Sequence, residues 1–482
     1  MTSSASEDPD VLVIGAGPAG VLAALRAARL GARTALVTCD GFGGMAASDG
    51  PVPVRTLAHA ARLIREARQL PRYGINGGEP SLDYSRLLDR IHDVTGEVRA
   101  QSLGEEFEQS GVTLYEHAGS ARFIDSHTVA AKRGLRLRAE KIIICTGGTS
   151  RRLPVPGSDL TCTHSDAWVL SSTPASMLVV GAGATGVQVA SIFNAFGSRV
   201  TLFEAAPRIL TTEDEDVVTA VGAALQASGI DVLENAGTIE RFERCPTGVR
   251  MIHVVDGAQQ AIDAAVVVVA VGWVANTAAL MPAAAGVRVD QRGYVRVDAQ
   301  LRTTRPHIFA AGDVTGRVMV VHEATREAYL AATNAVLGET TALPADVSPI
   351  GSFTDPEYAS VGLTEATARQ SHDVVVATQG FESMPRPIID GRPTGFCKLI
   401  IDRKLHTILG CHIVGERAVE LAQLAAVAIA ANMTVRQLAL VPFSFPTYAN
   451  ALSRAAVRAT NQLGLLAGTP DDQPTYEASP LG

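Results

Sequence analysis

At 482 residues, with 47% apolar side chains and 44 glycines, the chain is larger than one hydrophobic core organises and reads as a globular α/β protein of about two to four domains. Its net charge of -8, without a basic stripe or run, argues against nucleic acid and anionic membrane as partners. The polar, acidic start MTSSASEDPD lacks the layout of a secretory signal and the longest apolar run, 264–271, is too short for a bilayer, so a cytoplasmic enzyme is expected.

The first landmark is VLVIGAGPAGVLAALRAARLG, which predicts a four-residue apolar strand, a turn with Gly15, Gly17 and Gly20, and a helix whose alanines face the sheet. In such a turn the first glycine permits the tight bend, the second lets backbone approach a pyrophosphate, and the third allows close helix packing. The helix start then offers unpaired N–H groups to phosphate. The next strand ends in Thr38, where a carboxylate would hold a ribose more firmly; Asp40 is a possible substitute.

The same unit recurs as MLVVGAGATGVQVASIFNAFGSRVTLFE, with Gly181, Gly183 and Gly186. Its second strand ends in Glu204, eighteen residues after Gly186, placed to accept hydrogen bonds from both ribose hydroxyls of an adenosine. No arginine directly follows to hold a 2'-phosphate, so NADH is expected rather than NADPH. The acidic cluster 213–216 is read as a helix first turn after Thr212, where negative charge is favoured.

Downstream, TTRPHIFAAGDVTG ends an apolar strand in Gly312 and Asp313, an aspartate placed for a ribityl hydroxyl. A helix beginning near His322 would aim its positive end at a flavin pyrimidine ring, while His322 by itself reads as a packed structural histidine. The six cysteines, Cys39, Cys145, Cys162, Cys245, Cys397 and Cys411, form no C-x-x-C or C-x4-C pair. They read as small buried residues in a reducing compartment, and no metal site is expected.

With these motifs in order the chain resembles the class I pyridine nucleotide-disulfide oxidoreductases, the group that includes dihydrolipoamide dehydrogenase, glutathione reductase and mercuric reductase. The resemblance runs from about 11 to 456 and includes IIICTGG at 142–148, VVAVGWVANT at 268–277, FTDPEYASVGLTEA at 353–366 and the stretch GFCKLIIDRKLHTILGCHIVGERAVELAQLAAVAIAANMTVRQLA. It implies two Rossmann-like domains, for FAD (1–157 with 284–345) and NAD(H) (158–283), an α+β dimerisation domain (346–465) and a flexible tail (466–482). It also implies a homodimer with an active site shared between chains, FAD and NADH as cofactors, a small-molecule substrate, and Gly44, Thr146, Gly147 and Gly272 as further cofactor-binding positions.

The stretch GGMAASDGPVPVR, 43–55, departs from that family. Matching the glycines puts Ala46 and Pro51 where the family's disulfide cysteines stand. The family's histidine and glutamate acid-base partners fall at Phe445 and Asn450, and its lysine-glutamate pair near the flavin falls at Arg55 and Gln188. Thiol exchange needs a thiolate and a base to form it. The expectation is therefore an FAD-dependent oxidoreductase passing hydride from NADH directly to a quinone-like or conjugated acceptor, and not a disulfide reductase.

In that reading Arg55 stabilises reduced flavin or an anionic substrate group, Gln188 serves the nicotinamide side, Asn450 orients substrate and Phe445 stacks on it, with Ala46, Pro51 and Phe443 completing an apolar pocket. Against it stand aromatics that merely fill space and an Arg55 that is an ordinary surface residue. The alternative function is a flavin-dependent tailoring enzyme that oxidises or rearranges a metabolite, its NADH site vestigial; a non-catalytic flavin-binding protein is a third class.

Overall fold

The computed structural model describes residues 8–338, 341–343 and 347–465, apart from the side chains of 102, 103, 105, 106 and 133; the tail expected at 466–482 lies outside these residues. The chain divides into two compact units, Met1–Leu210 with Leu225–Ala345, and Thr211–Ala224 with Asp346–Gly482.

The first unit is built on two parallel five-stranded sheets. In one the spatial order is Ile308–Ala310, Lys141–Ile144, Val11–Ile14, Thr34–Val37, Thr113–Tyr115. In the other it is Asp231–Leu233, Arg199–Phe203, Ser176–Val180, Val266–Val269, Cys162–Thr163. Strands such as VLVI and VVVV are apolar at every position because a parallel sheet is covered on both faces. The strand in the middle of each sheet is the one that runs into a glycine turn. Both turns therefore open at the carboxyl ends of the strands, where ligands of such sheets bind.

Helix Pro18–Arg29 buries Ala19, Ala23, Ala24 and Ala27. These pack with Val11, Val13 and Ile143 of the sheet and with Ala324, Ala328 and Ala331 of helix Val321–Leu337 in one core. Alanine on both helices lets their backbones approach closely, which holds the first turn against the sheet.

The second unit has a five-stranded antiparallel sheet in the order Ile350–Ser352, Tyr358–Gly362, Ile408–Val414, Phe396–Asp402, Val374–Gly380. Helices Ala418–Ala430 and Asn450–Gln462 share its core. Leu424 and Val427 of the first of these helices point outward, at 41% and 66% exposure. The mixed α/β architecture agrees with the expected fold class.

Two expectations need correction. Helix Glu215–Ala227 starts three residues after Thr212, so only Glu215 and Asp216 occupy its first turn. Asp214 is instead 3% exposed and pairs with buried Lys398, whose Nζ also reaches Asp216 and Glu365, all within 2.8 Å. The cysteines are not uniformly buried: Cys145, Cys397 and Cys411 are, Cys162 and Cys245 are intermediate, and Cys39 is exposed.

Candidate dinucleotide and redox site

The two glycine turns obey the same steric rule. Gly15 and Gly181 have φ of 104° and 97°, a region that disfavours any Cβ. A Cβ on Gly20 would collide with the carbonyl oxygen of Gly15, and one on Gly186 with that of Gly181. The middle glycines differ: the nearest atom to a Cβ on Gly17 is Gly44 Cα at 4.0 Å, and Gly183 faces nothing within 4 Å. Space is left where a phosphate would lie. Helices Pro18–Arg29 and Ala184–Ala195 start there with Gly17 and Gly183 as caps and no side-chain cap, so their first N–H groups and positive dipole ends suit an anion.

Around the first turn, Thr146 Oγ1 is buried without a hydrogen-bond partner among the described residues, an acceptor-donor that fits a polar ligand. The neighbouring Gly147, with φ 72°, faces nothing within 4 Å, and Gly272, with φ 99°, is equally open. Thr38 is 8% exposed, with its N–H donating to the Tyr115 carbonyl, while Asp40 is exposed. A carboxylate that sequence reasoning missed is Glu116, which accepts the Phe42 N–H at 3.1 Å across a gap of 74 residues. Nothing local in the sequence signals it.

Asp313 follows strand Ile308–Ala310, and burial pushes its carboxyl up from the usual range. Beneath it lies Glu327, 1% exposed, accepting the Gly312 N–H at 2.7 Å and pairing with Arg317 at 3.2 Å. Burial raises Glu327 to about 7, against the opposing pull of the Gly312 hydrogen bond and Arg317. The orphaned Thr146 hydroxyl, the open middle glycine and the half-buried Asp313 together fit FAD. His322 is exposed at the second position of helix Val321–Leu337, so the reading of a packed histidine is corrected.

At the second turn the Glu204 carboxylate spans the mouth, accepting the Ala182 N–H on one oxygen at 2.7 Å and the Ala206 N–H on the other at 2.8 Å. Each oxygen retains lone-pair capacity for a ribose hydroxyl.

The stretch 43–55 forms helix Gly44–Ser48 and the first turn of helix Pro51–Ala67. Ala46 is half-buried and Pro51 exposed. Arg55 Nη1 donates to Gln188 Oε1 at 2.9 Å, and Arg65 on the same helix donates to the Ser191 carbonyl and hydroxyl at 2.6 and 3.0 Å. Helix Pro51–Ala67 is thereby fastened to the helix of the second glycine turn. Arg55 is half-buried, and the structure brings it together with Gln188.

In the second unit, Phe443 is half-buried against the core and Phe445 is 57% exposed. Asn450 is 7% exposed, and its side-chain oxygen accepts the Thr447 N–H at 3.2 Å, closing the turn into helix Asn450–Gln462. That bond gives Asn450 a structural duty the sequence reading did not assign.

The profile described as "Pyridine nucleotide-disulphide oxidoreductase" matches residues 9–328, and its "dimerisation domain" matches 348–456. A dihydrolipoyl dehydrogenase of Chlorobaculum tepidum is 32% identical over 94% of this chain and 98% of its own length. A mercuric reductase of Bacillus cereus is 30% identical over 93% of this chain and 71% of its own. Among solved structures, the "HOCl-induced flavoprotein disulfide reductase RclA from Escherichia coli" superposes with a TM-score of 0.83 at 27% identity, covering 93% of this chain and 99% of that one.

These names overturn the expectation of a reductase that is not a disulfide reductase and acts on a quinone-like acceptor, and with it the tailoring alternative. The physical fault lay in one step. Ala46 and Pro51 show that no thiol stands at those two positions, which restricts the path of electrons inside the protein and says nothing of the molecule that receives them. The dimerisation domain supports a homodimer, and among the described residues no helix is long and apolar enough to cross a membrane. With both glycine turns, the Glu204 mouth and matches over nearly its whole length, the chain belongs to the FAD- and NAD(P)H-dependent pyridine nucleotide-disulphide oxidoreductase family.

Proposed function

We propose that the chain is a reductase that draws electrons from NADH and delivers them to a small disulfide, the acceptor bringing the sulfur that residues 46 and 51 lack. FAD, when bound, supplies the chemistry that links a two-electron donor to such an acceptor. The net change balances as NADH + H⁺ + RSSR → NAD⁺ + 2 RSH.

The observation that carries this reading is the Arg55–Gln188 hydrogen bond. The Gln188 carboxamide accepts a hydrogen bond from the guanidinium without offsetting its charge, as a carboxylate at that position would. Arg55 is thus equipped to stabilise the negative charge that arrives with the electrons. Gln188 holds Arg55 and serves the nicotinamide side. Gly15, Gly17, Gly20, Gly44, Thr146, Gly147 and Asp313 hold FAD, and Glu204 with Gly181, Gly183, Gly186 and Gly272 holds NADH. Residues 1–157 with 284–345, 158–283 and 346–465 are assigned to FAD, NADH and the dimer. Ala46 and Pro51 of one chain with Phe443, Phe445 and Asn450 of the other would border the acceptor.

The test is NADH oxidation with lipoamide, oxidised glutathione and a synthetic aryl disulfide, before and after alkylation of accessible thiols, including exposed Cys39. Turnover that survives alkylation is expected. A protein that reduces none of the disulfides, or loses all turnover on alkylation, contradicts the proposal.

A further inference from the structure

The loop without thiols carries a line of hydrogen-bonded side chains. Asp49 follows helix Gly44–Ser48, three residues after Ala46 and two before Pro51. Its Oδ2 accepts from Ser165 Oγ at 2.6 Å. Ser165 Oγ lies 2.9 Å from Ser150 Oγ, which lies 3.2 Å from His164 Nε2. All four residues belong to the first unit. The outer end has unused hydrogen-bonding capacity, because Asp49 is half-buried and its Oδ1 has no partner among the described residues. The inner end is closed: His164 is 3% exposed and meets the edge of Trp273 at 4.5 Å.

A hydroxyl both donates and accepts, so two in series between an imidazole and a carboxylate make a conducting order. With Nε2 protonated, His164 donates to Ser150, Ser150 to Ser165, and Ser165 to Asp49. Three short proton shifts then move one proton from the imidazole to the carboxylate, and no heavy atom moves.

We propose that His164, Ser150, Ser165 and Asp49 form a proton relay that supplies the acceptor side of the reaction. The proposal rests on the disulfide-reductase reading above. NADH delivers two electrons and one hydrogen, while cleavage of an S–S bond to two S–H groups requires two protons. Between turnovers a solvent proton enters at Asp49 and passes inward through the two hydroxyls to His164; when the S–S bond is cleaved it is handed back outward along the same line to Asp49, beside the positions where a thiol would otherwise hold it.

The charges facing His164 suit a store that empties easily. Burial draws the imidazole toward its neutral form, and the carboxylates of Asp49 and Asp166 pull it back toward the charged one. Arg152, 3.6 Å from Asp166, moderates the latter.

The test uses Asp49→Asn, Ser165→Ala and the conservative Ser165→Thr in the full-length flavoprotein, with flavin content and melting temperature as folding controls. Turnover is compared between a small disulfide, which consumes protons, and ferricyanide, which consumes none. The ratio of the two rates is expected to fall about 10²-fold in Asp49→Asn and Ser165→Ala and to recover in Ser165→Thr. The His164 imidazole, followed by NMR in protein stripped of flavin, should titrate at lower pH in Asp49→Asn. Unchanged ratios in variants of an active wild type overturn the relay alone. A wild type that uses ferricyanide and no disulfide overturns the function and the relay together.

Discussion

Arg55 on helix Pro51–Ala67 and Gln188 on helix Ala184–Ala195 share a 2.9 Å hydrogen bond between residues 133 positions apart. It ties the loop of the missing thiols to the helix that opens at the second dinucleotide turn. Arg55→Met should slow reduction of the bound flavin by NADH about ten- to a hundredfold, the worth of a hydrogen bond to a charged group. Gln188→Glu should bind Arg55 more firmly yet make the flavin potential more negative, because the new carboxylate cancels the guanidinium charge. Stopped-flow absorbance and an equilibrium redox titration measure the two effects.

Glu204 spans the mouth of the second turn through the N–H groups of Ala182 and Ala206. Its negative charge would repel a 2'-phosphate, so the wild type should favour NADH. Glu204→Arg should lower kcat/KM for NADH by about ten- to a hundredfold and shift preference toward NADPH. Steady-state comparison of the two nicotinamides decides it, and an unchanged ratio assigns Glu204 to backbone bracing alone.

Lys398 is 2% exposed and faces three carboxylates. Burial pulls its pKa down, but hydrogen bonds to Asp214, Asp216 and Glu365 more than restore it, so it is raised. Burial likewise pushes Asp214 and Glu365 up, and the hydrogen bonds they accept bring both below their ordinary values. Their contribution is present above the unfolded carboxylate range and lost as pH falls through the folded values. Lys398→Met should cost about 3–5 kcal/mol at neutral pH by leaving Asp214 buried and unpaired. Urea unfolding should also show the variant gaining stability on acidification where the wild type loses it.

Glu327 has the opposite sign. Its folded pKa of about 7 exceeds the ordinary glutamate value of about 4.5, so the folded state holds the proton more tightly. Its contribution is complete below about 4.5 and is lost as pH rises to about 7, a change of roughly 3 kcal/mol. Glu327→Gln should flatten that part of the stability profile. A variant whose stability retains the wild-type slope between pH 5 and about 7 would remove Glu327 as its source.

The parts of the fold legible in the sequence were those set by local sterics. Gly15, Gly20, Gly181 and Gly186 are required by atoms of their own turns or of the adjoining strand, and the apolar runs before them could only be buried strands. Apart from Arg55 with Gln188, which the family resemblance brought together, pairings across long gaps were not legible. Glu116 reaches Phe42, Ser165 reaches Asp49 over 116 residues, and Lys398 reaches Asp214 over 184, because chain topology and not spacing brings them together. Exposure was misjudged at His322 and Cys39, both near element ends, where periodicity stops being informative. The substrate class was misjudged for a different reason: two replaced cysteines describe a lost intermediate carrier, and a carrier is not an acceptor.

The central claim is that electrons leave this protein for a small disulfide without a protein dithiol between. Its most direct test is an anaerobic titration of the NADH-reduced flavoprotein, freed of excess nucleotide, with a small disulfide, following flavin absorbance and released thiol together. The account predicts one disulfide consumed and two small thiols released for each flavin reoxidised, with alkylated protein behaving as the untreated protein does. A flavin that stays reduced in excess disulfide would contradict it.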